Sequence, residues 1–231
     1  APEEIKYSTD PSYVYICSNN TIFATQYKKF PDTGSIPLIA DMSSDILSRR
    51  VDVSKFGLIF AGAQKNLGPA GVTVVIIRKD LADRAGTKLP ELLQYRNYIK
   101  EQSLVNTPPC YAVYMVGLVL EWIIREGGIP VFEKRNEEKA RILYDALDST
   151  AFYKCPVKKE DRSLMNVVWR ISGGDEALEE KFVSESKAAG LAGLKGHRSV
   201  GGLRASIYNA MPLEGVKALV DFLKEFERKN G

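Results

Sequence analysis

A chain of 231 residues with 45% hydrophobic composition can bury a substantial core, as one large domain or two modest ones. Its 32 Lys plus Arg against 29 Asp plus Glu leave a net charge of +3, which gives no case for a nucleic-acid or membrane-surface protein, so any preference for an anion must be local. Cys17, Cys110 and Cys155 are far apart and form no CxxC pair, and the single histidine is His197. A disulfide framework and a thiolate or multi-histidine metal site are therefore not expected, and a reducing, cytoplasmic setting is. The opening Ala1-Pro2-Glu3-Glu4 is too acidic for a signal peptide, and the apolar segment 111–124 is too short for a bilayer and carries Glu121.

In chain order, residues 13–17 read as a β-branched and aromatic strand that runs into the polar turn Ser18-Asn19-Asn20-Thr21. Strands follow at 36–40, ending at Asp41, at 58–60, and in the long apolar run 72–77. Near-continuous apolar runs suit a mostly parallel α/β sheet covered on both faces, whose ligands bind beyond the carboxyl ends of its strands. Thr21, Asp41 and the pair Gln64-Lys65 all lie just past such ends. Lys65 occupies a short turn between two apolar strands, where partial desolvation favours the neutral amine that condenses with aldehydes. A plainer reading stays open for each: a solvated lysine, a helix cap at Asp41 and a turn closure at Thr21.

Asn106-Thr107-Pro108-Pro109 comes next, with Thr107 as a candidate N-cap for a helix over 111–125 that Gly127-Gly128 stops. Helices are expected at 131–147, 177–189 and 213–228, with a strand at 167–171. This is a second, α+β unit, so boundaries are expected at 1–107 for the first unit, 108–128 for the helix between them and 129–231 for the second. Between its last two helices, Lys195, His197, Arg198 and Arg204 gather cationic donors among glycines, which suits either an anion site or a solvated basic loop. Strand alternation puts Arg204, Ser206 and Tyr208 on one face, with Leu203, Ala205 and Ile207 on the other.

Several of these segments resemble phosphoserine aminotransferases of the class V, fold type I group: Ala61-Gly62-Ala63-Gln64-Lys65-Asn66 with Gly68-Pro69-Ala70-Gly71, Asn20-Thr21-Ile22, Ala40-Asp41-Met42-Ser43-Ser44 and residues 51–57. Gly196-His197-Arg198, Gly201-Gly202, Arg204-Ala205-Ser206 and Tyr208-Asn209-Ala210 extend the match toward the C-terminus. Asn20 departs from the family pattern, which has glutamate there. The resemblance implies pyridoxal 5'-phosphate as cofactor, with Lys65 forming a Schiff base, Asp41 pairing with the pyridinium nitrogen, and Thr21 and Gln64 bonding the ring oxygen or phosphate. It further implies a homodimer in which Asn106-Thr107 reach the other subunit's cofactor phosphate, His197-Arg198 bind the substrate phosphate and Arg204 clamps the α-carboxylate. The implied reaction transfers an amino group between glutamate and 3-phosphohydroxypyruvate, giving phosphoserine and 2-oxoglutarate. Another fold type I aminotransferase, a cysteine desulfurase-like enzyme, and a non-catalytic dimerising or cofactor-carrying piece are the alternatives. The family's N-terminal portion has no counterpart here, so residues 1–231 are expected to form an incomplete enzyme.

Overall fold

The computed structural model describes residues 7–84, 86 and 88–231; the acidic opening Ala1 to Glu4 lies outside the described residues. Strand β1 (Val14–Cys17) is followed by a small antiparallel hairpin, β2 (Asn19–Asn20) and β3 (Thr25–Gln26). Strands β4 (Leu38–Asp41), β5 (Leu58–Gly62) and β6 (Thr73–Ile77) then join β1 in a sheet of order β1-β4-β5-β6. The β1-β4 and β4-β5 pairings are parallel and β5-β6 is antiparallel, so the sheet is mostly parallel, as expected.

Alternation along these strands separates two faces. Val14, Ile16, Leu38, Ala40 and Ile59 are buried and pack with Met42 and Phe56, while Tyr15, Ile39, Asp41 and Phe60 stay partly open on the other face. The expectation of burial on both faces fails at β6, where Thr73 and Ile76 are exposed and the remaining residues half-buried. Its place at the sheet edge explains this, because nothing among the described residues pairs with its outer side.

Two short helices, α1 (Lys79–Arg84) and α2 (Tyr95–Lys100), lead to the long α3 (Cys110–Arg125). Thr107 does not cap α3. Pro109 holds the N-cap position with no side-chain bond, and Thr107 is exposed. The two prolines force extended backbone ahead of the helix and carry the threonine hydroxyl away from the N–H groups it would have to reach. Gly127 (φ 103°) and Gly128 (φ 77°) then break the chain between α3 and α4 (Ile129–Asp148).

The rest forms a second sheet, β7 (Tyr153–Lys154), β8 (Asn166–Ile171) and β9 (Leu203–Ser206), antiparallel throughout, with α4, α5 (Glu176–Ala188) and α6 (Leu213–Asn230). Its core joins Leu143 and Leu147 of α4, Trp169 and Ile171 of β8, Phe182 of α5 and Leu223 and Phe226 of α6. Asp175 caps α5 by accepting from the Leu178 N–H at 3.0 Å, and Gly190 ends it with the Leu191 N–H bonded to the Ser186 carbonyl at 2.8 Å.

The β2-β3 hairpin meets β8 and the segment leading into it through polar groups. Asn19 Nδ2 donates to Asn166 Oδ1 at 2.8 Å, Ser163 Oγ bonds Asn19 Oδ1, and the Leu164 N–H donates to Gln26 Oε1 at 3.2 Å. No described helix is long and apolar enough to cross a membrane.

Candidate active site

The turn after β5 is closed by one carbonyl. Ala63 O accepts from the N–H groups of Leu67 at 3.1 Å and Gly68 at 2.9 Å, while the Ala63 N–H donates to Val72 O at 2.9 Å. Ala63 is fully buried, so the turn has a fixed base, and Lys65 leaves it half-buried. Its Nζ donates to Thr21 Oγ1 at 2.6 Å. Thr21 sits at the tip of the β2-β3 hairpin, bracketed by Asn20, whose Oδ1 accepts from the N–H groups of Ile22 and Phe23 at 3.0 Å each. Asparagine at position 20 therefore has a local task, closing the turn that presents the threonine.

Asp41 ends β4, in register with Cys17 of β1 and Phe60 of β5. Its Oδ1 accepts from the Ser43 N–H at 2.8 Å, so the helix cap weighed for Asp41 is replaced by the closure of a turn, with no helix following Met42, while the second carboxylate oxygen is uncommitted among the described contacts. Ser43 Oγ in turn accepts from the Gly62 N–H at 3.0 Å, tying the Asp41 turn to the end of β5. Burial, with the charges of Asp41 and Asp45, pushes the Cys17 thiol up, while Lys65 opposes the shift. Cys17 thus lies in the field of both Asp41 and Lys65, a position that the lone cysteine did not suggest.

Gln64 is exposed and folds back over Gly62, where an added Cβ would lie 2.7 Å from its Oε1. Thr21 of the hairpin tip thus meets Lys65, while Asp41 and Gln64 lie at or just past the carboxyl ends of the paired strands β4 and β5. Asn106 and Thr107 do not join them. Both are exposed, Asn106 Nδ2 donates to the carbonyl of Thr107 at 3.1 Å, and Asn106 borders a separate cavity of about 730 Å3 lined by Val74, Tyr95 and Val113.

The basic segment folds back on itself before β9. The Gly196 N–H donates to Gly202 O at 2.8 Å, those of Val200 and Gly201 donate to His197 O, and His197 Nδ1 meets Ser199 Oγ at 2.7 Å. A Cβ at Gly196 would lie 2.1 Å from Gly201 O and 2.5 Å from Gly202 O, both backbone atoms that cannot swing away. Gly196→Ala is accordingly expected to destabilise the protein by about 1–3 kcal/mol, read as a lower denaturant midpoint with unchanged slope. A midpoint equal to the parent's would mean that the loop has room to open.

Arg198 is exposed on this loop, and Arg204 lies on β9 with Ser206 on the half-open face while Leu203 and Ala205 are buried, as the alternation requires. No described cluster of His, Cys, Asp and Glu could hold a metal ion.

Residues 3–219 match the family model for class-V aminotransferases. The chain belongs to that family. It is 56% identical over 98% of its length to phosphoserine aminotransferase of Lysinibacillus sphaericus (strain C3-41), covering 62% of that protein. It is also 56% identical, over its full length, to phosphoserine aminotransferase of Desulfatibacillum aliphaticivorans, covering 63% of it. Among solved structures, phosphoserine aminotransferase of Bacillus circulans subsp. alkalophilus superposes with a TM-score of 0.95 at 52% identity, covering 98% of this chain and 63% of that one. A phosphoserine aminotransferase of Trichomonas vaginalis with pyridoxal phosphate bound gives a TM-score of 0.91 at 43% identity, over 95% of this chain and 62% of that one. The chain thus spans under two thirds of the length of these relatives, and its fold is that of the class-V aminotransferases.

Proposed function

We propose that this chain is part of a pyridoxal 5'-phosphate-dependent phosphoserine aminotransferase, which moves an amino group between glutamate and 3-phosphohydroxypyruvate. The observation that carries the reading is identity of 56% sustained over 98% of the chain with a relative of that name. The local chemistry supports it: an amine at Lys65 within 2.6 Å of the Thr21 hydroxyl, and a carboxylate at Asp41 on the neighbouring strand end, form a donor set that fits the cofactor's aldehyde, ring oxygen and ring nitrogen. When bound, the cofactor supplies an electron sink for the substrate's α-carbon.

In this reading the Lys65 amine would hold the cofactor and would carry the proton to and from the substrate α-carbon. The Asp41 carboxylate would pair with the ring nitrogen and favour its protonated form. Gln64 and Thr21 would contribute hydrogen bonds, and Asn106-Thr107, exposed and bonded only to each other among the described contacts, would serve a second copy in a homodimer. The exposed apolar face of α3, with Tyr111 at 73% and Tyr114 at 63% exposure, is consistent with such an assembly. Free thiols at Cys17, Cys110 and Cys155 suit a cytoplasmic protein.

His197 and Arg198 would take the substrate phosphate and Arg204 the α-carboxylate. Arg204→Ala is then expected to weaken glutamate and phosphoserine alike, and Arg198→Ala to weaken phosphoserine selectively, by about 1.5–3 kcal/mol per lost charged hydrogen bond. Half-reactions of the full-length protein with each amino acid measure this, and equal losses in the Arg198 variant would remove the phosphate role. An inactive parent with both amino acids would remove the function itself.

A further inference from the structure

Five asparagines, Asn19, Asn66, Asn136, Asn166 and Asn209, are buried. Three of them meet at the turn that follows β9. The Asn209 N–H donates to Asn66 Oδ1 at 2.9 Å, Asn209 Nδ2 donates to Leu47 O at 3.0 Å, and Asn209 Oδ1 accepts from Asn136 Nδ2 at 2.8 Å. Asn66 directly follows Lys65, and its own Nδ2 donates to Ile46 O at 2.6 Å. Asn136, on α4, also donates to Ser48 O at 2.9 Å. Asn209 therefore touches the Lys65 turn, the 46–48 segment downstream of Asp41, and α4, while lying five residues past Arg204.

The amide orientations follow from the acceptors. Leu47 O can only accept, so Asn209 must present Nδ2 to it and turn Oδ1 toward Asn136, which must then present its own Nδ2. Leu47 holds a left-handed backbone (φ 59°), a conformation costing a non-glycine residue about 1–2 kcal/mol, and from it the carbonyl accepts the Asn209 amide. From below, the same turn is gripped by Lys139, 2% exposed, whose Nζ donates to the carbonyls of Ile207 at 3.0 Å, Tyr208 at 2.7 Å and Met211 at 3.0 Å. Residues 207–211 are thus held on one side by α4 and bonded on the other to the lysine turn.

We propose that Asn66 and Asn209 are positioning residues that lock the Lys65 turn against the end of β9, so that the amine at Lys65 and the guanidinium of Arg204 keep a set separation. The inference rests on the functional reading above, in which these two groups address the α-carbon and the α-carboxylate of one small substrate. A buried polar contact suits the task, because leaving either partner unpaired is costly while the bonds fix direction as well as distance. A greasy contact would fix only proximity.

The test is a double-mutant cycle in the full-length protein, with Asn66→Ala, Asn209→Ala and the pair, read by glutamate half-reaction kinetics and by hydrogen exchange of the cofactor-free protein. Each single change is expected to lower the limiting rate about 10-fold or more, Asn66→Ala by deleting the acceptor of the Asn209 backbone N–H and Asn209→Ala by releasing that N–H from its Leu47 and Asn136 anchors, with the pair hardly worse than the poorer single because both changes act through that one hydrogen bond. In the cofactor-free protein both singles should raise exchange in residues 63–68 and in 203–211 together while the helices keep their protection. Multiplying rate losses, or exchange that rises in only one of the two segments, would overturn the coupling. If Asn209→Ala loosens the whole protein, Asn66→Ala decides alone: it leaves the Asn209 side chain and its bonds to Leu47 and Asn136 in place and should still raise exchange in both segments, and a rise confined to 63–68 overturns the proposal. A parent without transaminase activity would sink the functional reading, and the exchange measurements would still decide whether the two segments are locked together.

Discussion

Replacing Lys65 by alanine in the full-length protein is expected to end covalent retention of pyridoxal phosphate and to cut the glutamate half-reaction by about 10²–10⁴-fold, the usual contribution of a positioned proton carrier. The effect is large because the proposed function places two tasks on one nitrogen, attachment and proton transfer, and no other described lysine lies at the carboxyl end of β5 with a hydroxyl at 2.6 Å. Thr21→Val is the milder companion: it removes the acceptor that orients the amine but leaves the amine, so attachment should persist. Borohydride reduction and peptide mapping check the first variant and its parent. A reduced adduct on a peptide lacking Lys65 would end the assignment, and full activity in Lys65→Ala would end the mechanism with it.

Most of the sheet was legible because β1, β4 and β5 are apolar runs that end at Cys17, Asp41 and Gly62, and strand ends are where α/β proteins place ligand groups. Lys65 follows such an end, whereas Thr21 reaches it from the tip of the β2-β3 hairpin, which the polar run 18–21 suggests only as a turn. The β6 run misled for a definable reason: Thr73 to Ile77 has the composition of a central strand, and composition does not say whether a neighbour will pair with its outer side. Thr107 misled in a related way, as the residue type suits a cap but the two following prolines decide where the helix begins.

The buried asparagines were the least legible part. Asn66, Asn136 and Asn209 are separated by up to 143 residues in sequence, and asparagine in isolation reads as a turn or surface residue. Only their meeting in space gives them a shared role. The basic segment stands between these cases: its glycines announced tight backbone, while the way Gly196 packs against Gly201 and Gly202 depends on atoms that no pattern reports.

Phe182→Ala is expected to be the most destabilising single change in the second sheet's core, costing about 3–5 kcal/mol. The ring is fully buried, and four aromatic rings surround it: Phe226 at 5.0 Å, Phe222 at 5.1 Å, Trp169 at 6.1 Å and Tyr153 at 6.5 Å between centroids. Three of the four lie at 78° to 83° to it and Phe226 at 72°, the edge-to-face arrangement that adds to simple area burial. These rings come from α6, β7 and β8 as well as α5, so a cavity here cannot be filled by one side chain changing rotamer without uncovering another. The exposed ring of Phe23, at 56%, provides the control, since Phe23→Ala should change stability by less than about 0.5 kcal/mol. Denaturant unfolding of the full-length protein, followed by near-ultraviolet circular dichroism, compares the two. A loss below 1 kcal/mol in Phe182→Ala, about the average for any point change, would mean that α5 collapses onto β8 without its ring and that the aromatic cluster does not hold this half together.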